Sequence, residues 1–292
     1  MAQADIPVDL FNPGQVFACL GFLEAAEVLL GDAEGGFDWR DGAATRFTLR
    51  AAGDADPVAA VLAFLADAEI RAVAPAGSRQ TTENSKVQIV ALDDGAPFPF
   101  PDPPSPATLP AVLTVEGRSA IVIDHWGDAT QRDTVKFWGG SSGYSGAARA
   151  RDCLDLVKVR AVAANHAPFA LSAPQTSSFR FDWRRDYIPL EVGFSPNKHG
   201  KRVTMVGFPL VEILAAIGLS NARPDRIDKL QYRYGVVQSA DAGGLLPPML
   251  LRAALGGAKL PFPHRIFWMQ LGWPAQENQE RCIVNVVEEP QA

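Results

Sequence analysis

Ile6-Pro-Val-Asp-Leu-Phe-Asn-Pro-Gly-Gln-Val-Phe-Ala-Cys-Leu-Gly-Phe-Leu-Glu24 runs from an extended segment into a helix, and its break falls at Asn12-Pro13. Asn can accept the unbonded N–H groups of a first turn, and Pro at the first helical position loses no bond it needed. A strand is therefore expected at Ile6–Asp9. Phe17, Leu20, Phe22, Leu23, Val28 and Leu29 make the helix strongly apolar, so it should be largely buried. Gly31 suits the left-handed residue that ends it. Working outward, Phe37–Trp39 and Arg46–Arg50 read as strands, the second alternating Phe47 and Leu49 with polar neighbours. Asp56-Pro57 repeats the cap signal and opens a helix to about Ala68. Lys86–Leu92 reads as a further strand.

The later part mixes both element types. Ala111–Val115 and Ser119–Asp124 read as paired strands around Glu116-Gly117-Arg118. Ser145 is placed to cap a helix running to about Asn165. Strands are expected at Phe179–Trp183, Val203–Val206, Ile266–Leu271 and Cys282–Val287, and helices at Pro209–Gly218 and Leu246–Leu255. No solenoid-length repeat is visible. Strands and helices alternate without a regular βαβ rhythm, which predicts an α+β fold.

The chain has 292 residues, 47% of them hydrophobic, enough for one large domain or two ordinary ones. Pro97-Phe-Pro-Phe-Pro-Asp-Pro-Pro-Ser-Pro106 supports neither a helix nor a central strand. Residues 97–110 are expected to form a proline-rich linker or surface loop. It divides an acidic α+β region, 1–96, from a basic one, 111–292, and the two regions could also compose a single domain. Met1–Ala96 carries 6 Lys/Arg against 15 Asp/Glu, whereas Gly117–Arg265 carries 20 against 12. The basic part is threaded with rings. Cations neutralise phosphates and flat rings stack on bases, so the mixture reads as a nucleic-acid surface. The competing reading is a solvated basic face whose rings sit in the core.

No run approaches the roughly 18 apolar residues that span a bilayer. The opening MAQADIPVDL has no basic or apolar signal region, so a cytoplasmic location without membrane association is expected. Cys19, Cys153 and Cys282 read as small buried hydrophobes. His125, His166, His199 and His264 lack metal-ligand spacing, so neither a metal nor a cofactor is expected.

Lys136-Phe-Trp-Gly-Gly-Ser-Ser-Gly-Tyr-Ser-Gly146 joins a cationic aromatic segment to a Gly/Ser turn and a helix with early arginines. Backbone N–H groups of such a turn can cradle a phosphate. Lys136, Gly139, Gly140, Ser141, Arg149 and Arg151 are the candidate phosphate contacts, and Trp138 or Tyr144 the candidate stacking rings. The Lys-Ser/Thr ending of a P-loop is missing. Gly139-Gly-Ser-Ser-Gly143 also matches G-x-S-x-G, which would make Ser141 a hydrolase nucleophile served by His166, His199 or His264 with Asp182 or Asp225. In the second rich segment, Arg180, Arg184 and Arg185 accompany Phe179, Phe181 and Trp183. Lys198, Lys201 and Arg202 follow on a basic turn without acids nearby in sequence. Arg184 could instead pair with Asp182 or Asp186. His199 could cleave RNA as a general acid or base.

Ile6–Glu24, Lys136–Gly140, Asp182-Trp-Arg-Arg-Asp-Tyr187, Gly193-Phe-Ser-Pro-Asn197 and Pro209-Leu-Val-Glu-Ile-Leu-Ala-Ala-Ile-Gly-Leu219 together resemble proteins encoded in type I-U (also called I-G) CRISPR loci. The resemblance implies a subunit of an RNA-guided, Cascade-like surveillance complex of antiviral defence. It also implies a RAMP-type, ferredoxin-like (RNA-recognition-type) core with helical insertions. Such subunits grip guide RNA by its backbone while base pairing reads the target. The implied partners are crRNA, target DNA and other effector subunits. The glycine-rich loop that RNA-cutting relatives carry near their C-terminus is not evident, which favours binding over catalysis. The acidic first third suits a face for a basic neighbour, and a purely structural adaptor role stays open beside both.

Overall fold

β1 (Ala2–Pro7) and α1 (Pro13–Leu29) begin the chain as expected in kind, although the strand starts and ends earlier. The computed structural model describes residues 1–76, 87, 89–91, 106–127, 135–138, 145–160, 167–175, 178–186, 205–238, 244–273 and 280–290. Asn12 has the extended backbone of a cap residue, with φ −101°, but its side chain makes no capping bond. Its Nδ2 donates to Asp182 Oδ1 at 3.0 Å instead. The carboxylate draws the Nδ2 donor to itself, and Asn12 Oδ1, the atom that would accept from the first-turn N–H groups, has no hydrogen-bond partner. At the other end Gly31 takes φ 81°, and its N–H bonds to Glu27 O at 3.1 Å, closing the helix as expected.

β2 (Glu34–Asp38) and β3 (Arg46–Ala51) complete the first sheet, in the order β1-β3-β2 and antiparallel throughout. The unit β1-α1-β2 is thus split by β3. Ile6, Phe37, Phe47 and Leu49 are buried from this sheet. α2 (Pro57–Asp67) starts where Asp56 Oδ1 accepts from Val58 N at 2.8 Å and Ala59 N at 3.0 Å.

β4 (Glu69–Ala74) leaves that sheet. It pairs in parallel with β5 (Ile89–Ala91) and antiparallel with β6 (Ala111–Thr114), which pairs with β7 (Ile121–Ile123). α3 (Gly146–Lys158) is capped by Ser145 Oγ, which accepts from Ala148 N at 3.2 Å; it stops short of the expected end. β8 (Ala173–Pro174) precedes α4 (Trp183–Asp186), and β9 (Val206–Gly207) returns to pair with β8.

The expected strand at Phe179–Trp183 is corrected to a turn that runs into α4. Arg180 is left-handed, with φ 69°, its N–H held by Ser178 Oγ at 3.1 Å, and Asp182 Oδ1 accepts from Arg184 N at 3.0 Å. Side-chain bonds to the local backbone thus replace a strand ladder.

α5 (Pro209–Asn221), β10 (Asp225–Asp228), β11 (Gln231–Val237), α6 (Pro248–Leu255), β12 (His264–Gly272) and β13 (Cys282–Glu288) finish the chain. The last sheet is β10-β11-β12-β13, all antiparallel. Strands β4, β8, β10 and β11 fall where none was expected.

α1 and α5 cross at backbone contact. A Cβ on Gly21 would overlap the Leu214 carbonyl, and one on Gly218 would overlap the Phe17 carbonyl oxygen. Both helices are buried over most of their length, and a continuous hydrophobic core joins all three larger sheets to them. The one acid buried midway in α1, Glu24, is satisfied by α6: Arg252 Nε donates to it at 2.6 Å.

Candidate nucleic-acid interface

Residues 135–138 bring Lys136 and Trp138 beside the first turns of α3. Val135 takes φ 47°, a conformation a β-branched residue rarely adopts. The turn is tied to the last strand: Arg281 N donates to Phe137 O at 2.8 Å and Arg281 Nη2 to Lys136 O at 2.6 Å. Gly146 lets α3 start directly against the Trp126 ring, where a Cβ would clash.

Trp138 is only 3% exposed. Its ring lies 5.1 Å from Phe179, 5.9 Å from Trp126 and 5.9 Å from His125, centroid to centroid. Phe179 stacks on Phe181 at 5.7 Å, and Phe181 reaches Phe137 at 5.6 Å and Phe17 at 6.4 Å. Trp138, Phe137, Phe179 and Phe181 therefore form an interior aromatic cluster, and the stacking role expected of Trp138 is corrected: no face of it is open to a base.

Two of the expected cations do come together over that ring. Lys136 Nζ lies 5.5 Å and Arg149 Cζ 5.9 Å from the Trp138 centroid, within cation–π range. Burial pushes the Lys136 ammonium below its usual pKa, and the Arg149 charge pushes it further. Arg149 itself is lowered to about 10 by burial, opposed by Glu280, with Arg180 and Arg185 adding to the lowering. Arg149 Nη1 also reaches Ser178 O at 3.5 Å. Arg180 forms an ion pair with Glu280. The neighbourhood thus holds positive charges that raise one another's energy.

The other expected cations are placed differently. Arg151 sits two residues from Arg149 on α3, about 200° around the helix, and its Nη2 donates to Asp152 at 3.0 Å. Arg184 is committed to structure. It chelates the buried Asp182, donates to Phe169 O at 2.9 Å and lies 3.4 Å from the Phe208 ring centroid. Arg185 is 7% exposed and reaches Gln175 O at 3.5 Å. Gly139, Gly140, Ser141, Tyr144, Lys198, Lys201 and Arg202 lie outside the described residues, as do His166 and His199.

Beneath this cluster is a buried acid that sequence reasoning overlooked. Glu212 on α5 is fully buried and accepts from Asp182 N at 3.1 Å and Phe181 N at 3.4 Å. Burial raises its pKa to about 7, the neighbouring Asp182 charge adds to the rise, and the two N–H bonds and Arg185 oppose it. Its carboxylate holds the 178–182 turn against α1, where Phe181 O packs on Gly14. Among the described residues no cluster of His, Cys, Asp or Glu could hold a metal ion, and all three cysteines are buried.

Sequence reasoning also passed over Lys229 and Arg281. The Arg281 guanidinium bridges Lys136 O and Lys229 O, the latter at 3.0 Å, and touches Tyr232 Oη at 3.2 Å. Lys229 Nζ in turn lies 5.3 Å from the Trp273 centroid. The backbone carbonyls of Lys136 and Lys229 are thus held at one guanidinium's breadth, on segments far apart in the chain, while their ammonium groups lie over different rings, Trp138 and Trp273. A lysine at the turn before the alternating strand Gln231-Tyr-Arg-Tyr234 was the available signal. No protein-family model, no curated protein and no solved structure matches this chain. No helix among the described residues is long and apolar enough to cross a membrane.

Proposed function

We propose that this chain is a non-catalytic subunit of an RNA-guided CRISPR surveillance complex of the type I-U (I-G) kind. In this reading it holds crRNA or the displaced target strand by its phosphates, in the cytoplasm, beside other effector subunits. The observation that carries the reading is the gathering of Lys136 and Arg149 over one buried ring, each lowered in pKa chiefly by burial and Lys136 further by the Arg149 charge. Like charges kept together at a partly desolvated site are relieved by an anion, and a polyphosphate backbone supplies a run of them. Arg180, paired with Glu280, and Lys229, whose carbonyl shares Arg281 with that of Lys136, stand on neighbouring segments. Trp138 serves this site from below, fixing the two cations rather than stacking on a base.

The fold supports the same reading. β1-α1-β2 with β3 between its strands matches three of the four strands that a ferredoxin-like core would have. The element order β-α-β-β-α-β from β9 to β12 does not add a second such sheet, since β9 pairs with β8 and β11 directly with β12. In this proposal β4 has left the RNA-recognition-type core to build a second sheet with the residues inserted after it. The acidic first third faces a basic neighbouring subunit.

The test is binding of the full chain to single-stranded RNA and DNA across a salt series, read by fluorescence anisotropy. Binding that weakens steeply with salt is expected. Lys136→Ala should lower the log–log salt slope by about 0.7 for a single strand. An unchanged slope in Lys136→Ala and in Lys229→Ala removes these cations from the contact, and no binding at low salt ends the proposal.

A further inference from the structure

Between the end of β1, the turn joining β2 to β3, the segment 167–170 and α4 lies a cleft of about 300 Å³, at the small end of the range for ligand sites. Its walls are tied to one another. Val8 N donates to Thr45 O at 3.1 Å, and Thr45 Oγ1 donates back to Val8 O. Arg184 Nη2 donates to Phe169 O at 2.9 Å. The site is therefore formed before any ligand arrives, which lowers the cost of binding.

Three polar side chains line it, and each has bonding capacity left. Gln15, in the first turn of α1, is only 6% exposed. Its Oε1 accepts from Asp9 N at 2.8 Å. Only the oxygen of an amide can receive an N–H, so the orientation of this side chain is fixed and Nε2 stays a donor. Nε2 has no partner among the described residues. Asp9 Oδ1 accepts from Phe11 N at 2.9 Å, while Oδ2 has no partner and Asp9 makes no ion pair among the described residues. Arg184 spends Nε and Nη2 on Asp182 and Phe169 O, which leaves Nη1. The rest of the lining is small or apolar, with Val8, Ala44, Ala170 and the buried Phe169.

This set asks for a ligand edge that both donates and accepts. A bare anion would meet the Asp9 carboxylate, and a bare cation would leave Gln15 Nε2 and Arg184 Nη1 unmatched. The Arg184 charge is already spent on the buried Asp182, so an uncharged acceptor suits these donors better than a second carboxylate. A carboxylate without a counter-ion is best served by two adjacent N–H donors. Among the four bases only guanine carries two such donors, N1 and N2, beside a carbonyl, O6, with the acceptor N7 next to it.

We propose that this cleft is a guanine pocket. Asp9 accepts from N1 and N2, Gln15 Nε2 donates to O6, Arg184 Nη1 donates to N7, and the small apolar lining admits the planar ring. The inference goes beyond the phosphate reading above and does not depend on it. The base arrives as a free nucleoside or nucleotide, or as one unpaired base of a strand, and the experiment separates these sources.

The full chain is titrated by calorimetry with guanosine, inosine, adenosine and cytidine. Guanosine should bind at least about tenfold more tightly than adenosine or cytidine, and inosine, which lacks the N2 amino group, about tenfold more weakly than guanosine. Because these nucleosides carry no phosphate, their binding should not change with salt. Gln15→Glu keeps an acceptor for Asp9 N, replaces the free donor by an oxygen, and should weaken guanosine about tenfold. Asp9→Asn keeps the acceptor for Phe11 N but presents a donor where guanine N2 sits. It should lose guanosine and gain xanthosine, whose ring carries an oxygen there, and the gain shows that the variant is folded. A uridine strand with one central guanosine, compared with the same strand carrying adenosine, identifies the source: a preference in the strand alone assigns the pocket to RNA, and one in the monomers alone to a free nucleotide. Equal binding of all four nucleosides with no preference between the strands overturns the proposal, as does a guanosine preference that survives in Asp9→Asn. Salt-independent guanosine binding without any salt-dependent strand binding would remove the phosphate reading and leave the pocket standing.

Discussion

Around Trp138 every ring lies inside and the cations rest on top, whereas on β11 and β12 the rings are divided, with Tyr232, Tyr234 and Phe267 buried and Trp268 left on the outer face. Both regions read alike by residue type, as rings among arginines and lysines. The backbone separates them. A strand sends successive side chains to opposite faces, so it must expose half of what it carries unless a second layer covers it. The 178–182 turn contains a left-handed residue, and it delivers Phe179 and Phe181 to the same interior as stacked neighbours. Aromatic content therefore says little about stacking surfaces until the local backbone is known.

The sharpest way to break this contrast is truncation. Trp138→Ala should destabilise the fold by about 3–5 kcal/mol, as for a fully buried ring, with Phe181→Ala similar. Trp268→Ala should cost about 1 kcal/mol. Denaturant unfolding followed by circular dichroism measures both, and equal costs at Trp138 and Trp268 would erase the distinction.

The next effect is on pH. The folded pKa of Glu212 lies near 7, above its ordinary 4.5, so between these values the folded state holds a proton the unfolded state has released. Stability is then fully present below the unfolded pKa and falls as pH rises through about 7, by about 1–3 kcal/mol. Glu212→Gln should flatten that slope in urea titrations from pH 5 to 8, a range set by the same shift. The slope belongs to the interior region, so Trp268→Leu should leave it unchanged.

A smaller effect separates the two regions by access alone. Acrylamide should quench Trp268 and Trp273, while Trp126 and Trp138 stay protected. Single-tryptophan replacement by Phe assigns each signal, and strong quenching from Trp138 would contradict its burial.

Much of the framework was legible where one residue type has one local use. Asp56-Pro57 capped α2, Gly31 closed α1, and Pro209 opened α5, each because the backbone at that point accepts few alternatives. Asn12 looked equally clear, yet its amide turned to Asp182, which is 170 residues away in sequence. β11 carried a readable alternation in Gln231-Tyr-Arg-Tyr234. Phe179-Arg-Phe-Asp-Trp183 shows the same alternation and is not a strand, because Ser178 and Asp182 offer the backbone local partners. The candidate site was legible in its parts, Lys136 and Arg149. Its assembly depends on Arg281 reaching both Lys136 O and Lys229 O, and nothing in the spacing of those three residues announces that they meet.

The glycine-lined crossing of α1 and α5 has a consequence for any attempt to divide this protein. The two helices come from opposite sides of the proline run, and each is the other's inner wall. A cut at residues 97–106 would strip both of that wall, so either piece made by itself should be insoluble. Made together in one cell, the pieces carry matching surfaces and should re-form the intact particle, much as a split reporter regains its shape when its fragments meet.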